Sequence, residues 1–216
     1  MEDENYIAIA IDELNKPSFE VTKQYLDVME LELDNGIPKI ARVDNHLSND
    51  SVAIYFFIKD ERFFLVVNLS KTSLPEVEWV WIENGHRVYL TATSDELTHK
   101  ELSAYTLFQP LSGWSKGDIR KPSQSVYKFS RVSYEPNKNE AFDLEDKLLE
   151  LLIELEIDKK GIIELSKNSN AYISICRHQY ISGNAGIHFD LEIIKRLNKL
   201  NLEVDIDTYI SGKEIE

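Results

Sequence analysis

The chain has 216 residues, 38 of them acidic and 24 basic, for a formal net charge of −14. This length suits one large domain or two small ones and buries enough surface to fold without staples, and the single cysteine, Cys176, excludes an internal disulfide and fits a reducing compartment. The charge sets nucleic acid and anionic membranes aside as partners, since both are held by Lys and Arg neutralising phosphate, and it favours a basic protein or serves only solubility.

Tyr6 to Ile11 reads as a first strand. Pro17 opens a helix from Ser18 to about Leu33, with Phe19, Thr22, Tyr25 or Leu26, Met29 and Leu33 at helical spacing, and Asn35-Gly36 stops it. Residues 37–50 are ambiguous, with turns at Asp44-Asn45-His46 and Ser48-Asn49-Asp50. Val52–Ile58 and Phe63–Leu69 are β-branched and aromatic runs that form a hairpin across Lys59–Arg62. Glu78–Ile82 and Arg87–Thr93 form a second hairpin across Glu83-Asn84-Gly85-His86, Asn-Gly being a strong turn signal.

Thr98-His99-Lys100-Glu101 is a capping box and starts a short helix over about 99–106. A loop through Gln109-Pro110 and Gly113–Asp118 leads to an alternating strand, Val126–Tyr134. Phe142–Leu155 is the clearest helix, with Leu144, Leu148, Leu151, Leu152 and Leu155 on one stripe. Gly161–Leu165 is a short helix or strand, Ala171–Tyr180 a strand, Asp190–Leu200 a helix and Glu203–Ile210 a last strand. The order predicts an α+β fold: a mixed, mostly antiparallel sheet shared by two halves, 1–83 and 84–216, with helices packed against it and one continuous structural unit.

No catalytic constellation emerges. Cys176 and His178 share a strand face, but at roughly 7 Å they are too far apart for a thiolate and its base. The histidines, His46, His86, His99, His178 and His188, lack metal spacing. Asp205 and Asp207 could hold a hard cation only with more oxygen ligands; otherwise they guard an edge strand against pairing. The Gly113–Asp118 loop lacks the P-loop order, and Ser182-Gly183-Asn184-Ala185-Gly186 reads as structural. The expectation is a protein that is not an enzyme and needs no metal or organic cofactor.

Any membrane helix would need roughly 20 consecutive apolar residues, which no segment approaches. Met1-Glu2-Asp3-Glu4-Asn5 is acidic where a secretory signal is basic. The expected location is therefore the cytoplasm, and the glycosylation patterns at Asn49-Asp50-Ser51 and Asn68-Leu69-Ser70 are coincidental.

The charge is uneven: residues 1–83 hold 17 acids against 7 bases, and residues 84–216 hold 21 against 17. This places a partner-binding acidic patch in the first half, at Asp12, Glu13, Glu30, Glu32, Asp34, Asp44 and Asp50. Carboxylates at a helix C-terminus carry a small dipole cost that a cationic partner would relieve. Trp79 and Trp81 share one strand face, as a core ridge or as interface anchors.

Residues of about 84–211 resemble a bacterial family, domain-of-unknown-function family 4279. The resemblance rests on Arg87-Val88-Tyr89-Leu90, Leu97–Leu102, Gln109-Pro110, the Trp114–Asp118 loop, Gly186, Phe189-Asp190-Leu191 and Leu202–Asp207. The resemblance implies an immunity protein that neutralises a basic bacterial toxin, of the kind that includes nucleases, by direct binding. The alternative is a general protein-interaction or small-ligand-binding domain.

Overall fold

The computed structural model describes residues 2–45, 50–136, 140–183 and 186–215. The turns read at His46 and Ser48-Asn49, and Asn184-Ala185 of the glycine-rich loop, lie outside these. The apolar run Tyr6–Ile11 is not a strand but the middle of helix α1 (Glu2–Asn15). A short apolar run does not by its period distinguish helix from buried strand; here Ala10 and Leu14, four apart, reach the core. Helix α2 is shorter than its apolar spacing suggests, Glu20–Val28, because Met29 turns extended at φ −128° and ψ 142°.

Strands β1 (Leu33–Asp34) and β2 (Ile37–Pro38) follow as a tight hairpin. Its turn is Asn35-Gly36, with φ of 51° and 83°, so this pair makes a left-handed hairpin turn rather than ending a helix. Then come β3 (Ile40–Asp44), β4 (Ser51–Phe57), β5 (Phe64–Ser70) and β6 (Val77–Glu83). Each pairs antiparallel with the next to give a sheet ordered β3-β4-β5-β6. Alternation sends Val52, Ile54, Phe56, Phe63, Leu65 and Val67 towards α1 and α2, while Ala53, Tyr55, Phe64 and Val66 line the opposite face.

The second half contains β7 (Gly85–Ser94), α3 (His99–Ser103), β8 (Ser112–Trp114), β9 (Ile119–Arg120), β10 (Ser125–Val126) and β11 (Ser130–Tyr134). After these come α4 (Leu144–Leu155), a 3-10 turn (Glu156–Asp158), α5 (Lys159–Asn168), β12 (Asn170–Tyr180), α6 (Leu191–Leu200) and β13 (Glu203–Ser211). The capping box forms: Thr98 accepts from the Glu101 backbone, and Glu101 accepts from the Thr98 N–H at 2.8 Å. The sheet order is β13-β12-β7-β11-β8, antiparallel except for the β12–β13 pair. Leu148, Leu151, Leu152 and Leu155 of α4 are essentially fully buried beneath it, each worth roughly 1.5–3 kcal/mol.

The fold is thus α+β and mostly antiparallel, but the halves do not share a sheet. The hairpin read over 78–93 does not form: β6 pairs with β5, and β7 pairs with β11 and β12. Neither Asn84 nor Gly85 is among the residues with positive φ, and a two-residue Asn-Gly turn needs both. The chain instead steps from one sheet into the other at Asn84.

Contacts around Tyr180, Ala141 and Arg42 are among those that join the halves. Tyr180 at the end of β12 enters the first core, 5.5 Å from the Phe63 ring and 6.3 Å from Tyr25. Ala141 completes the second face of the first sheet. Arg42 donates to the Ala141 carbonyl at 3.2 Å, pairs with Asp44 and lies 4.3 Å over Phe142. Among the described residues no helix is long and apolar enough to cross a membrane.

Gly85 has no room for a side chain: a Cβ there would sit 1.6 Å from the Arg62 carbonyl oxygen. Gly85→Ala is expected to destabilise the protein by about 2–3 kcal/mol, read as a lower urea midpoint with an unchanged m-value. Gly117→Ala, where a Cβ meets open space at φ 89°, is expected to cost about 1 kcal/mol of local strain only.

Candidate functional site

Alternation along the five-stranded sheet decides what it presents. Val88, Leu90, Ala92, Val132, Ile173 and Ile175 enter the helix-covered core, so their neighbours face the other way. Register then aligns Asp205, Ser174 and Tyr89 in one row, and Glu203, Tyr172, Thr91 and Ser133 in the next. Polar bonds knit the face: Thr91 and Ser174 hydroxyls meet at 2.8 Å, and Arg131 donates to Ser133 at 3.2 Å and to Thr91 at 3.3 Å. The Arg131 guanidinium also lies 5.4 Å from the Trp114 ring and 5.7 Å from Tyr89. Arg87 makes a two-pronged bond to Glu135 at 3.1 and 2.7 Å.

The face ends at β13, an edge strand that among the described residues pairs only with β12. All nine of its residues except Val204 are exposed. Glu203, Asp205 and Asp207 form a row on one side, and Ile206 and Ile210 are 38% and 61% exposed on the other. No group of three or more His, Cys, Asp or Glu among the described residues is placed to hold a metal ion, so no third such residue joins Asp205 and Asp207. Cys176 and His178 do share a face but have different neighbours: the Cys176 thiol lies 3.4 Å from the Tyr89 hydroxyl, and His178 stacks on Tyr209 at 5.1 Å.

The acidic residues singled out in the first half do not form one patch. Glu13 is buried and accepts from the Ser18 and Phe19 N–H groups at 3.0 and 3.2 Å. Burial opposes its ionisation, but a hydrogen bond from the Ser18 hydroxyl, together with these N–H groups, holds its carboxyl below the ordinary value. Asp44 is buried against Arg42. Both serve the fold, not a surface. Glu30 and Glu32 are not at a helix end; they follow α2 and pair with Lys59 at 2.8 Å and Lys39 at 2.6 Å, beside the Phe57 end of β4. Asp34 accepts from Asn35, and Asp12 is exposed on α1. Asp50 lies at the opposite end of β4, about 20 Å away at the rise of an extended strand.

Trp79 and Trp81 lie on one face of β6 with ring centres 6.3 Å apart. Trp79 is 43% exposed, while Trp81 is half-buried against the first sheet and donates to Glu83 at 3.1 Å. Asn68, of the second glycosylation pattern, is buried and donates to Ser51.

A cluster of basic groups was hidden from the chain reading. His86, Arg177 and Lys147 are buried, His86 and Arg177 being cross-strand partners. Lys147 donates to the His86 carbonyl at 2.6 Å. A signal for it exists in the sequence: Lys147 interrupts the leucine stripe three residues after Leu144 and four before Leu151. Burial lowers the Lys147 ammonium to about 8. Burial, together with the positive charges of Arg177 and Lys147, pushes the His86 imidazole down to about 4.

Folded His86 therefore stays neutral where the unfolded chain binds a proton, between about 6.5 and 4. Stability is present above pH 6.5 and is lost as pH falls through that window. From pH 6.5 to 5 the loss is expected to be roughly 2 kcal/mol, measured by urea unfolding. In His86→Gln the decline over the same interval should be visibly shallower; parallel curves would assign the acid sensitivity elsewhere.

Residues 84–211 match a family model described as Domain of unknown function (DUF4279). No curated protein and no solved structure matches the chain.

Proposed function

Because the chain belongs to the DUF4279 family, a family without an assigned function, we propose its role from its surface: it is a non-enzymatic protein that binds a basic protein partner along the β13 edge. The neutralisation of a basic bacterial toxin by direct contact is the specific form of this reading. The observation that carries it is the edge itself. A long exposed strand leaves one side of its backbone unpaired, which a partner strand can complete. The row of Glu203, Asp205 and Asp207 selects a cationic segment and opposes a second copy of this acidic chain. The net charge of −14 accelerates encounter with such a partner.

The test is parallel capture from the native cell with the wild-type chain and with a variant carrying Glu203→Lys, Asp205→Lys and Asp207→Lys. A basic protein is expected to be retained by the first and lost by the second. Its association with the wild type should slow steeply as salt rises. Expressed alone the captured protein should arrest growth, and co-expression with this chain should restore it. Equal retention by the variant would remove β13 from the interface; a captured protein harmless on its own would remove the toxin reading.

A further inference from the structure

A second surface differs in chemistry from the acidic edge and does not depend on it. Between Ser112 and Arg131 the chain carries Lys116, Arg120, Lys121, Lys128 and Arg131 against one acid, Asp118. In a chain of charge −14 this is an island of positive charge. Two of these cations are engaged: Lys116 reaches the Asp95 carbonyl at 3.0 Å, and Arg131 bonds Thr91 and Ser133. Arg120, Lys121 and Lys128 make no ion pair among the described residues.

The island is folded into an arm. β9 and β10 pair antiparallel, Gly117 donates to the Tyr127 carbonyl at 2.9 Å, and Tyr127 donates to the Asp118 carbonyl at 3.0 Å. This pairing brings Tyr127 onto Trp114, with ring centres 4.3 Å apart and planes 17° from parallel. Phe129 stands beside Trp114 at 6.3 Å, and its carbonyl accepts from the indole N–H at 3.0 Å. The base of the arm is fixed: a Cβ on Gly113 would lie 2.2 Å from the His99 ring, so that ring lies flush against the backbone. Trp114, Tyr127, Phe129 and Val126, with Arg120 and Lys128, line a cleft of about 390 Å³.

We propose that this cleft binds a free nucleotide, its base against the Trp114–Tyr127–Phe129 aromatics and its phosphate on Arg120 and Lys128. Its volume sits low in the ~300–1,000 Å³ range of small-ligand sites, suited to one ring system with its phosphate. Aromatic rings flanked by unpaired cations are the wall chemistry that takes a stacking base and an anion together. A long strand is disfavoured, since beyond the island it would meet the acidic remainder of the surface.

Calorimetric titration of the intact protein with AMP, GMP and UMP tests this. Binding is expected, with affinity reduced about tenfold or more by Tyr127→Ala and by Arg120→Glu with Lys128→Glu. The charge-reversal pair lies on the surface, and an unchanged circular dichroism spectrum secures its fold. No heat with any of the three nucleotides at millimolar concentration overturns the proposal. So does equal affinity for inorganic phosphate or adenosine, which would leave only an anion patch or a sticky aromatic surface. Tighter binding of a twelve-nucleotide single-stranded RNA would transfer the site to a strand, and tighter binding of an acidic peptide to a protein; either result rejects a free nucleotide.

Discussion

The close approach of Gly85 to the Arg62 carbonyl sets how the two sheets meet. With any side chain at that position, β7 could not begin against the β4–β5 turn, and the chain could not leave one sheet and enter the other within a residue of Glu83. Other joining contacts gather around this point. Glu140 accepts from the His86 N–H through its carbonyl at 3.0 Å and from Arg62 through its carboxylate at 3.3 Å. Next to it, Ala141 and Phe142 lie under Arg42. Four consecutive residues of the second half, Glu140–Asp143, thus reach Arg62 or Arg42 of the first, Asp143 lying 3.9 Å from Arg42. The cost of burying Arg42 is offset by the Asp44 carboxylate, a carbonyl and an aromatic face.

Net charge guides this molecule poorly once the fold is known. The half with the larger acidic excess neutralises part of it at Lys39 and Lys59, in exposed pairs that each contribute little stability, about 0–1 kcal/mol. It hides Glu13 and Asp44 altogether. The half that is closer to neutral instead separates its charges, with carboxylates along β13 and free cations on the arm at the other side of the sheet. The sheet thus carries opposite charge at its two borders, which an average over residues 84–216 erases.

Much of the second half was legible because its elements carry signals that tertiary structure does not override. The leucine stripe gave α4, the capping box gave α3, and the β-branched run gave β12 to within one residue at its start. The first half misled where a local pattern had two solutions. Asn-Gly ends a helix, turns a hairpin or simply passes through; at 35–36 it turns a hairpin, and at 84–85 it passes through, because packing against Arg62 sets the backbone of Gly85. The acidic patch failed for a related reason: sequence proximity does not say which carboxylates find lysines. What makes the arm notable is Tyr127 returning onto Trp114, a contact that depends on the β9–β10 pairing and on breaking the run Val126–Tyr134 into two strands.

The order in which the central strand acquires its neighbours has a consequence for synthesis on the ribosome. In the first sheet each strand pairs with the one just made, so β3 to β6 can close as they emerge. β7 differs: Thr93 pairs on one side with Arg131 and on the other with Asn170, and Gly85 must wait for His178. At translation speeds of roughly 5–20 residues per second, one side of β7 stays open for several seconds or more. Strand β13 can add only after α6 has carried the chain back alongside β12. A nascent chain in this interval holds a paired first sheet, still lacking Tyr180 in its core, joined to a strand with unsatisfied hydrogen-bonding groups, so this is the stage at which a chaperone, or misassembly with a neighbouring nascent chain, would act.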